Sequence, residues 1–513
     1  MNKKNELKIG IILNYINLGI GNLIPIFYTP IMLSLLGQQE YGLYKLSTSI
    51  TSYLSLVSMG IGAAVTRYLI KAYTEEGKEA EEKVLGLFTV IFQVIAIISF
   101  LIGLFLTFNL ELFYGKSLTI SELSRMKVIV FLMVCNTALN FSQTSYISVV
   151  TAHERFIFLQ CMNIISTCIV PILSLGILYL GYAAVGMTVI SLATGVLIRF
   201  TYYVYVRTKM SIKARFVGMP KHLLKEIWQF SFWIFLSNVV AQLYNATDTV
   251  MIGAIPVLAT TGVAIYNVGN TFNSIVFSLT TGVSNLLAPK VNKMVFQGAD
   301  NQELTELAIR VGRIQAYIIA LLVSGFMAFG RPFIGFYAGS EYAESYWVAV
   351  LMMIPNMIPL VQSVFLSIIV AKNKHKFRSI VYLGIAILNV VGTWILMQKM
   401  GIVGAALMTG IALVIGQGFI MNWYYMKKIE LNIPYFWKKV GIIYIVPIVL
   451  CGVAVLSSFW IDYTNIIVFL LGVIIYTVIY CILNWCFVMN AYEKNIICAP
   501  IKLMKNKIKK FIK

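Results

Sequence analysis

The sequence predicts an all-α, polytopic membrane protein with about fourteen transmembrane helices. Three observations carry that prediction. Apolar runs of roughly 18–25 residues recur from end to end, each long enough to cross a hydrocarbon core about 30 Å thick. Hydrophobic residues make up 59% of the chain and charged residues 12%, with a mean hydropathy of +0.84. The basic residues also crowd into alternate loops between those runs. Spans of this kind must be helical, because a segment surrounded by lipid has only its own backbone to satisfy its N–H and C=O groups.

The spans centre, in order, near Leu23, Leu54, Ala96, Asn140, Pro171 and Leu192, then near Ala241, Ser274, Leu322, Met357, Leu388 and Ala412, and finally near Val449 and Val473. With the N-terminus in the cytoplasm, the inside loops and termini hold 33 of the 40 Lys and Arg residues. The outside loops hold only Lys116, Arg125, Lys127 and Lys399, while Lys45, Arg199 and Arg331 fall within spans or at their edges. The positive-inside rule therefore places both termini in the cytoplasm and supports an even number of spans. The net charge of +20 is explained by the same bias. It faces anionic headgroups, which makes nucleic acid an unneeded partner. In the tail, Lys502–Lys513 alternates lysine with Ile, Leu, Met and Phe, as a helix lying on a membrane surface would.

The loops leave little room for chemistry. The longest, about 109–127 outside and 207–227 inside, cannot bury a core of their own. The chain has no phosphate-binding G-x-x-x-x-G-K-[ST] loop. His153, His222 and His375 lie far apart in basic loops and read as solvated residues. The seven cysteines form no C-x-x-C and read as packing residues, so no metal site, catalytic residue or bound cofactor is expected. Function is then expected between the helices, as transport and not as enzymology.

A weak internal repeat supports a two-lobed body. At an offset of 222 residues, Tyr44 meets Tyr266, Ser52 meets Ser274 and Gly60 meets Gly282. That offset covers six spans, so both copies run the same way through the membrane, one of the recurring transporter plans. The expected divisions are an N-lobe at 1–205, a cytoplasmic linker at 206–225, a C-lobe at 226–430, two further spans at 431–490 and a basic cytoplasmic tail at 491–513.

Several segments resemble a known family in sequence. They are Pro25-Ile-Phe-Tyr-Thr-Pro-Ile-Met-Leu-Ser-Leu-Leu-Gly37 with Glu40-Tyr-Gly-Leu-Tyr44, then Met59-Gly-Ile-Gly-Ala-Ala-Val-Thr-Arg67-Tyr. Asp248-Thr-Val-Met-Ile-Gly253, Gly262-Val-Ala-Ile-Tyr266-Asn-Val and Gly339-Ser-Glu-Tyr342 follow on the appropriate spans. Together they resemble the polysaccharide and lipid-linked oligosaccharide flippases, relatives of the multidrug and toxin extrusion antiporters. The resemblance implies a bacterial plasma-membrane protein that flips an undecaprenyl-pyrophosphate-linked sugar unit to the outer leaflet, beside polymerase and glycosyltransferase partners. The lipid II flippases among these place arginines in the first span. Here that span carries no charge between Lys8 and Glu40, which favours a longer capsule, exopolysaccharide or teichoic-type unit. A cation-coupled multidrug exporter is the alternative within the superfamily, and a membrane-bound glycan polymerase or ligase is the alternative outside it.

Polar stripes at helical spacing mark the candidate route: Asn14 and Asn17 in the first span, Asn238, Gln242 and Asn245 in the seventh, Asn267 and Asn270 in the eighth. Amides facing lipid are costly, so these either line a wet cavity or bond between helices. Charges inside spans are sharper markers. Asp248 can take up a proton or sodium ion, or pair with Lys45. Arg67 and Arg199 can receive a pyrophosphate through bidentate contacts, with snorkelling to the headgroups as the other account of Arg199.

Overall fold

The computed structural model describes residues 3–220, 223–285, 288–372, 374, 376–495 and 498. The surface-helix segment Lys502–Lys513, and with it most of the basic tail, lies outside the described residues, as do His222 and His375. Among the described residues nine helices are long and apolar enough to cross a membrane, or ten when the bent pair Ser345–Val361 and Ser363–Ala371 is taken as one span. Two of the nine, Ile12–Ser58 and Phe377–Lys427, are about twice the length that one crossing needs. Each is broken by a glycine, Gly37 at φ 74° and Gly401 at φ 59°, a backbone region that residues with a Cβ avoid. Counting each as two, and adding the more polar helices Leu223–Gly253 and Ala259–Asn285, is consistent with fourteen spans. The protein is a multi-pass, all-helical membrane protein.

The helices begin with α1 (Lys3–Ser52), α2 (Ile61–Glu75), α3 (Lys78–Phe108), α4 (Leu110–Tyr114), α5 (Ile120–Ala152), α6 (Phe156–Tyr179), α7 (Ala183–Thr208), α8 (Leu223–Gly253) and α9 (Ala259–Asn285). They continue with α10 (Ala288–Phe296), α11 (Asn301–Tyr337), α12 (Ser345–Val361), α13 (Ser363–Ala371), α14 (Lys376–Leu413), α15 (Asn422–Lys427), α16 (Ile433–Gly441), α17 (Ile445–Ser457) and α18 (Ile466–Leu483). Packing groups them into two compact units. One comprises residues 1–267 with 386–405, the other residues 268–385 with 406–513.

In the first unit, Val84, Leu85, Phe88 and Phe92 of α3 pack with Val65 and Leu69 of α2 and Val149 and Val150 of α5, all buried. Between α1 and α2 the chain turns through Met59 and Gly60, both left-handed, at φ 49° and 70°. There a Cβ on Gly60 would lie 2.7 Å from the Ile234 side chain of α8, so glycine serves both the turn and the close approach. The start of α3 is unusual in burying two carboxylates, Glu81 and Glu82. Glu82 Oε2 accepts from Arg215 Nε at 2.9 Å and Glu82 Oε1 from the Lys213 amide at 3.1 Å, while the Arg215 amide donates to the Glu82 carbonyl at 2.9 Å. Ile212 is buried beside them. The segment after α7 is thus strapped to α3, and beyond it Phe216, Val217 and Gly218 stand exposed.

His153, at the end of α5, is corrected from a solvated loop residue to a partner of Glu81. Its Nε2 lies 2.7 Å from Glu81 Oε1. The physical reason is the burial of that carboxylate, which needs a donor nearby. Glu6 of α1 pairs with Arg155 at 3.3 Å, so the first turn of α1 and the end of α5 share one end of the bundle.

In the second unit α11 is the spine. Arg313 binds Glu493 through Nε and, at 3.0 Å, through Nη2, and it also donates to the carbonyls of Lys439 and Val488. Glu493 also accepts from Tyr317 Oη at 3.0 Å. Burial pushes the Glu493 carboxyl up, but the Arg313 guanidinium and the Asn490 amide outweigh it and hold it below the usual carboxylate range. Higher on α11, Phe329 packs edge-on against Tyr463, Phe469 and Tyr476. Tyr476 and Tyr480 of α18 donate to Ser324 Oγ and the Tyr317 carbonyl at 2.7 and 2.8 Å. The last two spans are therefore fastened to α11 along its length.

Candidate functional site

The first unit gathers the candidate residues around α8. Asp248, 2% exposed, lies five residues before the C-terminal end of that helix. Tyr266 Oη of α9 donates to its Oδ2 at 2.6 Å, and Thr393 Oγ1 of α14 lies 3.5 Å from its Oδ1. Thr393 in turn lies 3.3 Å from Asn389 Oδ1. Both Asn389 and Thr393 are buried. An ionised carboxylate out of water is tolerable only where donors or a cation meet it. The carboxylate, hydroxyl and amide oxygens here are all hard ligands, of the class that binds protons or alkali and alkaline-earth cations. Among the described residues no group of three His, Cys, Asp or Glu side chains is placed to hold a metal.

Lys45 and Asp248 are not brought together as partners. The Lys45 ammonium sits 5.5 Å from the centre of the Tyr41 ring, while the Asp248 carboxylate has Tyr266 and Thr393. Asn389 and Thr393 were not legible as site residues, since their span is otherwise apolar. Their spacing of four, which puts both on one helical face, is the only mark they carry.

The stripe amides divide into two groups. Asn17 Oδ1 accepts from Thr167 of α6 at 3.3 Å, Gln242 bonds Ser52 Oγ, and Asn267 bonds Thr249 Oγ1 at 3.3 Å. These serve as ties between helices. Asn14, Asn238 and Asn245 are exposed, as is Arg67, whose guanidinium lies over the Phe230 ring at 5.1 Å. Exposed amides on span-length helices call for water, because lipid cannot satisfy them. Arg199 does not snorkel: it is 8% exposed, and its Nη2 donates to Asn136 Oδ1 at 2.5 Å, near the middle of α5. Its Nη1 is buried without a hydrogen-bond partner. In the second unit Asn270 accepts from Asn273, which accepts in turn from Asn356 Nδ2 at 2.7 Å.

At the end of the bundle opposite Glu6, the first unit is tightly closed. A Cβ on Gly42 would fall 1.8 Å from the Thr260 carbonyl oxygen, and one on Gly253 would fall 2.6 Å from Leu46. Ser117 Oγ donates to the Gly253 carbonyl at 2.8 Å and Tyr114 Oη to the Val250 carbonyl at 3.3 Å. Thr260 Oγ1 donates to Glu122 Oε1 at 3.1 Å. Tyr53 Oη and Thr247 Oγ1 meet at 2.6 Å deeper in the same seam. Contacts of this density leave no passage between α1 and the adjoining ends of α8 and α9.

Broken helices, buried polar centres and exposed amides on span-length helices define the class as a polytopic membrane fold with polar groups between its spans. Solved structures share it at low sequence identity. The lipid II flippase MurJ in an inward closed conformation matches with a TM-score of 0.72 at 16% identity, covering 94% of this chain and 100% of that one. An inward-facing multidrug resistance MATE family transporter of the MOP superfamily matches at 0.60 and 12% identity, covering 82% and 95%. The Vibrio cholerae MATE transporter VcmN in its bent form matches at 0.55 and 16%, covering 85% and 99%. The comparison with curated protein sequences gives no significant match. The sequence model of the polysaccharide biosynthesis protein family matches residues 7–289, more than half of the chain. This protein belongs to that family, and it shares its fold with the lipid II flippase and the MATE transporter structures.

Proposed function

We propose that this protein flips an undecaprenyl-pyrophosphate-linked oligosaccharide repeat unit from the cytoplasmic to the outer leaflet, for assembly of a surface polysaccharide. The family match over residues 7–289 carries the reading. Arg67, Asn14, Asn238 and Asn245, open on span-length helices, supply a wet and partly cationic surface for pyrophosphate and sugars. The lipid tail stays in the bilayer. Alternating access by two six-span lobes moves the headgroup, with both termini in the cytoplasm of a bacterial cell. The packed seam at Gly42 and Thr260 is the closed outer gate of that cycle. A proton or sodium ion held at Asp248 with Asn389 and Thr393 couples the cycle to a gradient. The buried acid also favours a second reading, a cation-coupled multidrug exporter.

The test is complementation of a strain lacking this gene. Wild type restores surface polysaccharide; Asp248→Asn and Arg67→Ala, at matched membrane levels, restore less than a tenth of it. Normal polysaccharide in the deletion strain refutes the flippase reading. Altered drug tolerance in that same strain establishes the second.

A further inference from the structure

The first unit holds another polar centre, at the start of α3 and the end of α5, that shares no residue with the one at Asp248. Glu81 is fully buried, and only one of its carboxylate oxygens is matched, by His153 Nε2 at 2.7 Å. The other, Oε2, has neither solvent nor a hydrogen-bond partner. A charged acceptor left in that condition is costly. Glu81 borders a cavity of about 490 Å³ at the end of the bundle shared by Glu6 and Arg155, with walls that include Leu69, Ile70 and Tyr73 of α2.

The lining dictates the sign of the ligand. Glu6, Glu81 and Glu154 are acidic there, and the single arginine, Arg155, is already turned to Glu6. His153, also in the lining, meets one oxygen of Glu81, so the unmet requirement is a hydrogen-bond donor to the other, and the three carboxylates favour a cationic one. A bare metal ion fits poorly, because among the described residues no three His, Cys, Asp or Glu side chains are placed to hold one. The space is also many times the roughly 30 Å³ share of a water molecule and falls in the range of organic ligand pockets, about 300–1,000 Å³. An ammonium group presents three N–H donors and a compact charge. Tyr73, its ring 4.8 Å from that of His153, adds an aromatic wall that cations favour.

We propose that this cavity binds a primary ammonium group beside the ring of Tyr73, and that its entry turns the unmatched oxygen of Glu81, closed to solvent in this structure, toward the ligand. Such a group can arrive as the headgroup of an amino-phospholipid or on a soluble polyamine. Ile70 and Tyr73 are each about half exposed at the rim, so a ligand has access to the site.

The experiment uses the full-length protein in nanodiscs of phosphatidylcholine, whose quaternary nitrogen carries no N–H. Spermidine is titrated by calorimetry, and in parallel phosphatidylethanolamine is added at increasing mole fraction with native mass spectrometry as readout. Saturable binding of phosphatidylethanolamine alone identifies the lipid headgroup, and of spermidine alone the soluble amine; binding of both shows that the ammonium suffices. Glu81→Gln is expected to weaken binding at least about tenfold, while Glu111→Gln, in an exposed pair with Lys127, leaves it unchanged. Should Glu81→Gln fail to fold, Tyr73→Leu on the α2 surface takes its place, with a several-fold loss expected. Absence of binding by both probes, or binding by the folded variant equal to wild type, overturns the proposal.

Discussion

Substituting Gly42 by alanine tests whether the packed seam is a gate. The new Cβ would lie 1.8 Å from the Thr260 carbonyl oxygen and 2.6 Å from its carbon. Carbon and carbonyl oxygen come no closer than roughly 3.3 Å in ordinary contacts, so α1 and α9 must separate by about 1.5 Å. Both contacting atoms are backbone, so no rotamer change relieves the clash. Overpacking of this kind costs about 1–3 kcal/mol. That cost falls only on conformations in which the seam is shut, so it shifts the balance toward the open form by about 5- to 150-fold. The assay places a cysteine at Thr260, 2% exposed, in a background without other cysteines. A membrane-impermeant maleimide is then applied from outside the cell. Labelling is expected to accelerate at least fivefold in Gly42→Ala. Gly21→Ala, whose Cβ meets nothing within 4 Å, is expected to change nothing. Equal labelling rates in all three proteins, with normal polysaccharide export, would refute the gate.

Two further outcomes follow from the buried polar centres. Tyr266→Phe removes the 2.6 Å donor to Asp248 without altering shape; it is expected to cost about 1–3 kcal/mol, read as a lower midpoint in thermal unfolding, and to reduce export. Glu493→Gln strips the charge that answers Arg313 and is expected to destabilise by about 3–5 kcal/mol. The depressed Glu493 carboxyl fixes the sign of the pH effect: its contribution is fully present above about pH 4.5, the ordinary carboxylate value, and is lost as pH falls through the lower folded value. Wild type should therefore lose stability on acidification over that window, and Glu493→Gln should lose measurably less.

Helical class, membrane character and family were legible in the sequence because each rests on local signals: apolar run length, loop charge and short ordered motifs. At 37 and 401 the polar residues Gln38-Gln39-Glu40 and Gln398-Lys399 mark the boundary between spans, but nothing local says that the helix continues through it with one glycine at positive φ. Asp248 stood out as an acid in an apolar run, but Thr393, which meets it from 145 positions away, is an unremarkable hydroxyl until the helices are assembled. The amide stripes were visible as stripes. Which of them tie helices and which stand open depends on neighbours such as Thr167 and Ser52 that no periodicity reveals. His153 was misread for a related reason. The run Lys78-Glu-Ala-Glu-Glu-Lys83 has the composition of a solvated helix start, and nothing local says that Glu81 and Glu82 turn inward.

The strap between Glu82 and the segment after α7 bears on how the orientation of this chain can be measured. Residues 212–215 are held through Arg215, the Lys213 amide and buried Ile212, so an inserted epitope there would pull the strap off α3. Val217, 86% exposed, and Gly218, at φ 72°, lie just past the strap. An epitope placed between them loops out between two fixed points, Arg215, held to α3, and Met219, which packs against the core, and antibody access to it before and after permeabilisation reads the sidedness of the membrane directly.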